Sequence, residues 1–139
     1  MRFAIGAMSA CAALFLAGCG SAQDEIQSKV QQFSHAVGAR DYGTICRQVL
    51  SPGFAERIVE NTQLSCEEAV RVALGGVRDP VISIGKIVVR GRHASAITLT
   101  LARGERASLA VIGLVDTGDG WRISSLGSSL TAALGSPGR

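Results

Sequence analysis

Cysteine is the residue type in this sequence best suited to chemistry, because a thiolate can ligate a metal, act as a nucleophile or pair with a second thiol. The four cysteines are Cys11, Cys19, Cys46 and Cys66. The two histidines that could share a metal with them, His35 and His93, are not at ligand spacing from any cysteine. No metal site is therefore predicted, and another use is expected for each thiol.

The second cysteine closes an apolar N-terminal segment. Residues 1–18 begin with the basic Arg2, continue through an apolar run and end on small residues, which is the three-part pattern of a secretory signal. The run is shorter than the roughly 20 residues that span a bilayer. Leu16-Ala17-Gly18-Cys19 resembles the lipobox of bacterial lipoproteins, in which the cysteine thiol receives a diacylglycerol and becomes the first residue of the mature chain. The resemblance implies a lipid on Cys19, while an ordinary signal peptide with a chance cysteine is the alternative.

A lipid anchor implies a location on the extracytoplasmic face of the cell membrane, with the membrane itself as one partner. Two or three acyl chains anchor a protein stably, whereas one holds it weakly. The expected organisation is a signal peptide over residues 1–18, a lipidated tether over 19–23, one domain over 24–127 and a flexible tail over 128–139.

The remaining pair, Cys46 and Cys66, is expected to form a disulfide, because the predicted compartment is oxidising and two thiols are left after Cys11 and Cys19 are accounted for. Closing a loop of about 20 residues stabilises a fold by roughly 3 kcal/mol. Two free buried thiols, or half of a metal site, are the alternatives.

The charge pattern argues against nucleic acid as a partner. The chain carries 14 Lys and Arg against 11 Asp and Glu, a formal net charge of +3. The basic residues are scattered, with no run of three, so the electrostatic pattern of a nucleic-acid-binding protein is missing from the sequence.

Helical periodicity dominates the first half of the domain. A helix is predicted from Asp24 to Gly38, with one apolar stripe at Ile26, Val30, Phe33 and Val37. A second short helix is predicted after Asp41-Tyr42-Gly43, continuing through Leu50 and ending at Ser51-Pro52. A third helical piece holds Phe54, Ile58 and Val59. The last helix begins at the capping box Ser65-Cys66-Glu67-Glu68 and ends at Gly75-Gly76.

Strand periodicity dominates the second half. The predicted strands are Val81 to Arg90, His93 to Arg103, Arg106 to Asp116 and Trp121 to Leu126. Short turns between them predict an antiparallel meander. In the second strand Ile97, Leu99 and Leu101 point one way, and Ala96, Thr98 and Thr100 the other. Helices followed by such a sheet predict an α+β fold in which the helices cover one sheet face.

Two motifs carry a resemblance to nuclear-transport-factor-2-like domains. Ala39-Arg40-Asp41-Tyr42, followed by Cys46 and Leu50-Ser51, is similar to the passage from the first to the second helix of that family. Asp119-Gly120-Trp121-Arg122-Ile123 is similar to its last hairpin and final strand. The cysteine pair resembles one in actinobacterial lipoproteins of this type.

The resemblance implies a cystatin-like cone, in which N-terminal helices pack on the concave face of a curved antiparallel sheet with a cavity between them. Residues expected at such a pocket or its rim are Tyr42, Thr98, Thr100 and Trp121. The fold hosts isomerases, dehydratases, transport factors and plain binding modules, so it does not by itself specify a function.

Catalysis is not expected from these residues. Enzymes of the family use carboxylates, histidine or tyrosine inside the cone, but the eleven acidic residues here fall on predicted helices, turns and strand ends. We therefore predict no catalytic residue and no cofactor. The expected function is a non-catalytic, membrane-anchored binding or accessory module for a protein partner. A pocket protein for a small hydrophobic ligand is the main alternative, and an isomerase-like enzyme a weaker one.

These hypotheses predict different shapes. A binding module requires a small or closed interior and an apolar or aromatic patch outside. A pocket protein requires an open apolar cavity of several hundred cubic ångströms, which is the ordinary size of ligand sites.

Overall fold

Helices fill the first half and strands the second half of residues 21–127, the part of the chain that the computed structural model describes. The helices are α1 Ala22–Ala39, α2 Tyr42–Thr44, a π-helix Ile45–Val49, α3 Pro52–Thr62 and α4 Cys66–Leu74. The strands are β1 Val81–Arg90, β2 His93–Leu101, β3 Ser108–Asp116 and β4 Trp121–Ser125. This order confirms the predicted α+β fold. The predicted signal peptide, Cys19 and the predicted tail lie outside the described residues.

Helix α1 begins two residues earlier than predicted, because a capping box stands in front of it. The Ser21 hydroxyl accepts a hydrogen bond from the Asp24 amide at 3.2 Å, and the Asp24 carboxylate accepts one from the Ser21 amide at 3.3 Å. Ala22 and Gln23, which lie in the predicted tether, therefore belong to the first helical turn. The helix ends before Arg40, whose left-handed backbone (φ 58°) caps the last carbonyls.

The passage after α1 departs from the prediction at Leu50. The Asp41 side chain caps α2 by accepting a hydrogen bond from the Thr44 amide at 3.0 Å. The following π-helix ends at Val49, whereas the predicted helix included Leu50. Leu50 is extended and forms a parallel bridge with Ile123 of β4, and the Ser51 amide donates to the Ile123 carbonyl at 2.8 Å. Because Leu50 pairs with the sheet, the helix ends one residue earlier than predicted.

Serine caps begin the next two helices. Ser51 accepts from the Phe54 amide at 3.3 Å, and Pro52 occupies the first helical position of α3, where its missing amide hydrogen costs nothing. Ser65 accepts from the Glu68 amide at 3.3 Å at the start of α4, which is one of the two bonds of the predicted capping box.

The four strands form one antiparallel sheet in the order β1-β2-β3-β4, as the predicted meander requires. Strand β2 ends at Leu101, two residues before the predicted end at Arg103. The Arg103 amide donates instead to the Arg78 carbonyl at 2.9 Å, and its guanidinium pairs with Asp79. Arg103 therefore bonds to the segment that precedes β1 and does not extend β2.

Helix α1 lies across the sheet and is closest to the two edge strands, β1 and β4. Its predicted apolar stripe is buried, namely Ile26, Val30, Phe33 and Val37. The stripe joins one continuous core with Ile112, Leu114 and Ile123 of the sheet. Because one helix contacts both edges, the sheet curves around it.

The disulfide between Cys46 and Cys66 is present and confirms the predicted pairing. It joins the π-helix to the first residue of α4, with a Cα–Cα distance of 6.1 Å and a sequence separation of 20. An ion pair between Arg47 and Glu67 lies beside it at 2.6 Å, but both side chains are largely exposed. Exposed pairs contribute little, so the disulfide links these two helical segments more strongly than the ion pair does.

We expect Cys46→Ala and Cys66→Ala each to lower the free energy of unfolding by about 3 kcal/mol, and the double variant to lower it by the same amount, because all three remove one bond. Urea denaturation of the three variants in oxidising buffer measures the losses. The wild type treated with dithiothreitol serves as the control and should fall to the level of the double variant. Additive losses would contradict a shared bond.

Candidate functional site

Strand β2 contributes small side chains to the side of the sheet that faces the helices. Ala94, Ala96 and Thr98 of β2 are buried, with Ala96 and Thr98 completely inaccessible. The concave side of a curved sheet has less room for side chains than the convex side. Small residues suit it, and large side chains from α1 such as Phe33 then fill the remaining space.

A cavity remains at one end of this interior, and its volume is about 80 Å³. Its walls come from α1, α4 and the sheet, with Phe33, Val37, Leu74, Ile82 and Thr100 among the lining residues. Ordinary ligand sites enclose about 300–1,000 Å³. The cavity is therefore too small for a ligand of that size.

The two threonines predicted at a pocket have different surroundings. Thr98 is a core residue whose hydroxyl donates to the Ala110 carbonyl at 3.2 Å. Thr100 lines the small cavity, and its buried hydroxyl has no hydrogen-bond partner among the described residues. A buried polar group left unpaired destabilises a fold by about 1–3 kcal/mol.

Trp121 and Tyr42 do not join the threonines in one pocket. Trp121 is buried at the start of β4 and lines an open surface groove together with the N-terminal part of α1. Tyr42 is half-buried and packs against the core from α2. The four predicted residues are therefore distributed over separate places in the fold.

The groove beside Trp121 contains Lys29, which belongs to none of the sequence motifs. The Lys29 ammonium donates to the Gln32 side chain at 2.8 Å and to the Gln48 carbonyl at 3.2 Å. Partial burial, and then the positive charge of Arg122, hold the pKa of Lys29 below its ordinary value. Its donors are directed at protein groups, so this lysine connects α1 to the end of the π-helix. Lys29 directly precedes Val30 of the apolar stripe in the sequence, but periodicity cannot show these partners.

Other groups that could do chemistry are scattered. His35 and His93 are both exposed, on α1 and at the start of β2. Within residues 21–127, no cluster of three or more His, Cys, Asp or Glu side chains has the arrangement of a metal site. Of the acidic residues, Glu105 lines the small interior cavity, at the turn between β2 and β3.

The opposite face of the sheet carries large apolar side chains that remain exposed. We call it the outer apolar face, and it consists of Val81, Ile97, Leu99, Leu101, Leu109 and Val111. The exposed fractions run from 38% for Leu99 to 72% for Leu109. Single exposed apolar residues are normal, but a large contiguous group of them is uncommon on a monomeric protein.

Strand register makes these six side chains contiguous. Ile97 lies opposite Val111, Leu99 opposite Leu109, and Val81 opposite Leu101. Opposed residues on one sheet face have Cβ atoms about 4.5–5.5 Å apart. The face therefore forms three adjoining apolar pairs across β1, β2 and β3. Sequence alternation predicted that Ile97, Leu99 and Leu101 share a face, but it did not predict that this face is the outer one.

Comparisons of this chain with family models, curated proteins and solved structures found no match. The geometry above establishes an α+β domain with N-terminal helices on a four-stranded antiparallel sheet. Across the described part of the chain, none of the helices has both the length and the apolar character needed to cross a membrane.

The assignment of inner and outer faces can be tested at two neighbouring positions. We expect Ala96→Leu to lower the free energy of unfolding by about 1–3 kcal/mol, because the inner face has no space for a larger side chain. Ile97→Thr is the matched control on the outer face, and it should change stability by less than about 1 kcal/mol. Chemical denaturation measures both. A larger loss for Ile97→Thr than for Ala96→Leu would reverse the assignment.

Proposed function

We propose that this chain is a lipid-anchored, extracytoplasmic binding or accessory module with a nuclear-transport-factor-2-like domain, and that it docks a protein partner on its outer apolar face. The observation that carries the proposal is the combination of a filled interior with an exposed apolar sheet face. A protein that binds small molecules usually shows the reverse arrangement, with its apolar surface inside a cavity.

The outer apolar face suits a protein partner in composition and shape. Three cross-strand pairs of branched side chains form an uncharged surface, and Lys86 stands opposite Ile97 at its border. Removing such side chains from water is the main driving force of association, at roughly 25 cal/mol per Å² of apolar area. A polar border around an apolar centre is also the usual anatomy of a protein interface.

The proposed anchor would lie beside the start of α1, whereas the Val81 and Leu101 end of the outer apolar face lies near the last turns of α1. Cys19 is two residues before Ser21, the cap of α1, so the lipid would lie within about 7 Å of the start of the helix. The 18 residues of α1 extend for about 27 Å. Near its far end the Ser34 hydroxyl donates to the Pro80 carbonyl at 3.1 Å, directly before Val81.

This separation favours a protein over the bilayer as the occupant of the face. The membrane would meet the end of the domain where α1 begins, and Asp24, Glu25 and Asp119 line the groove there. The Val81 and Leu101 end of the face would lie far from the lipid surface. A partner could therefore approach from the side while the lipid holds the domain at the membrane.

We expect Cys19→Ser to release the protein from the membrane fraction, because the hydroxyl cannot receive the diacylglycerol. Fractionation of cells, with the mass of the mature chain measured in each fraction, tests the anchor. Cys11→Ser is the matched control, since the predicted leader is removed, and it should leave the protein membrane-bound. A Cys19→Ser chain that remains in the membrane with its leader removed would refute the anchor.

A charge on the outer face should abolish partner docking. We expect Leu99→Asp to lose the species that formaldehyde cross-links to the protein in intact cells, because an unpaired carboxylate would be buried in the interface. Val72→Asp is the matched control, since Val72 is a 75% exposed apolar residue on α4, away from the face. Equal retention in both variants would exclude the face. A small molecule retained by the purified protein in native mass spectrometry would instead support the pocket alternative.

A further inference from the structure

The exposed charges on the outer side of the sheet are positive. Ile97 and His93 of β2 are four residues apart, so their side chains lie on the same face. Lys86 lies opposite Ile97 on β1, and Arg90 lies opposite His93. Both basic residues are exposed. The outer apolar face therefore continues into a basic part along β1.

No carboxylate offsets these charges on the strands. The one acidic residue within the four strands is Asp116, which lies opposite the buried Trp121 and therefore on the inner face. Its carboxylate accepts a hydrogen bond from the Gly118 amide at 2.9 Å. Lys86 and Arg90 form no ion pair with any described residue. Both charges are thus available to a group outside the domain.

The apolar and basic parts adjoin along β2. Ile97 and Val111 line a shallow groove of about 330 Å³. Arg90, His93 and Ser95 line a second groove of about 360 Å³. Ser95 is two residues from Ile97 on the same strand face, so the two grooves are neighbours. The distance along the strand from Ile97 to His93 is about 13 Å.

We propose that the partner of the outer apolar face is a protein that presents carboxylate side chains within about 13 Å of its own apolar contact, where they pair with Arg90 and Lys86. The inference rests on the proposed function and specifies the chemistry of its partner. Complementary charge at the border of an interface speeds association and fixes its orientation. Charges are screened beyond about 8 Å at physiological salt, so the carboxylates act at close range.

A second copy of this chain lacks the complementary charge. If two outer faces packed with their strands in the same direction, Arg90 and Lys86 would meet their own counterparts. In the reversed packing, Arg90 would lie over the Val81 and Leu101 end of the copy, and an unpaired charge would be buried. Asp116 is on the inner face, so neither arrangement brings a carboxylate from the strands to Arg90.

An anionic lipid surface is a poorer match for the same end of the sheet. The register places Arg90 at the end where β4 starts with Trp121. Asp24, Glu25 and Asp119 line the groove beside Trp121. A membrane at this end would meet these carboxylates together with Arg90, and anionic headgroups repel carboxylates. A protein docked on the outer face contacts the basic residues from the other side of the sheet.

Photo-cross-linking in intact cells tests the charge pairing. The photoreactive residue benzoylphenylalanine replaces Ser95, which lies on the outer face between the two parts. We expect Arg90→Glu to lower the yield of the protein adduct by about five-fold or more, because an attraction becomes a repulsion, whereas Arg90→Lys should keep most of it. Arg71→Glu makes the same charge change at an exposed position of α4, and this matched control should leave the yield unchanged. Arg90 is preferred to Lys86 because a lysine on an edge strand also discourages unwanted strand pairing.

Mass spectrometry of the adduct separates the outcomes. A partner peptide that contains Asp or Glu, with a yield that falls several-fold when isolated membranes are moved from about 50 to about 500 mM salt, supports the proposal. An adduct with the mass of two copies of this chain, or an adduct with lipid, overturns it.

An Arg90→Glu adduct at the wild-type yield also overturns the charge pairing, and Leu99→Asp then shows how far the failure extends. Loss of the adduct in Leu99→Asp alone leaves docking on the outer apolar face in place and removes its acidic partner. Retention in both variants, or no adduct from the wild type, removes docking as well.

Discussion

The contact of α1 with both edges of the sheet is the constraint on which the rest of the domain depends. The helix lies closest to β1 and β4, and its buried stripe of Ile26, Val30, Phe33 and Val37 is continuous with the core of the sheet. A sheet held at both edges by one helix curves around it. The concave side then has little space for side chains, and the small residues of β2 fit into that space.

The same curvature gives the two sheet faces different surroundings. On the concave side the packed side chains leave a cavity of about 80 Å³, which is below the size of an ordinary ligand site. On the convex side Ile97, Leu99 and Leu101 of β2 are exposed, and the register aligns the first two with Val111 and Leu109 of β3. A contiguous apolar surface on this side is the feature that supports the proposal of a docked partner.

Local hydrogen bonds and one covalent bond hold the remaining helices in place around this centre. Ser21, Asp41, Ser51 and Ser65 each cap the start of a helix. The disulfide joins the π-helix to α4, and the Leu50 bridge joins the end of the π-helix to β4. The short helices thus have fixed positions although each is too short to be stable alone.

The sequence by itself determined the α+β order, the stripe of α1 and the meander, because periodicity and turn residues are local properties. It also predicted the pairing of Cys46 with Cys66, but only through the assignment of Cys11 to a leader and Cys19 to an anchor. Tertiary structure alone decided that Leu50 leaves its helix to pair with β4, and that Arg103 leaves β2 for the segment before β1. It also decided which side of β2 is inside. Alternation separates Ala96 from Ile97 but assigns neither to the core, because that choice depends on the space that the curved sheet leaves beneath α1.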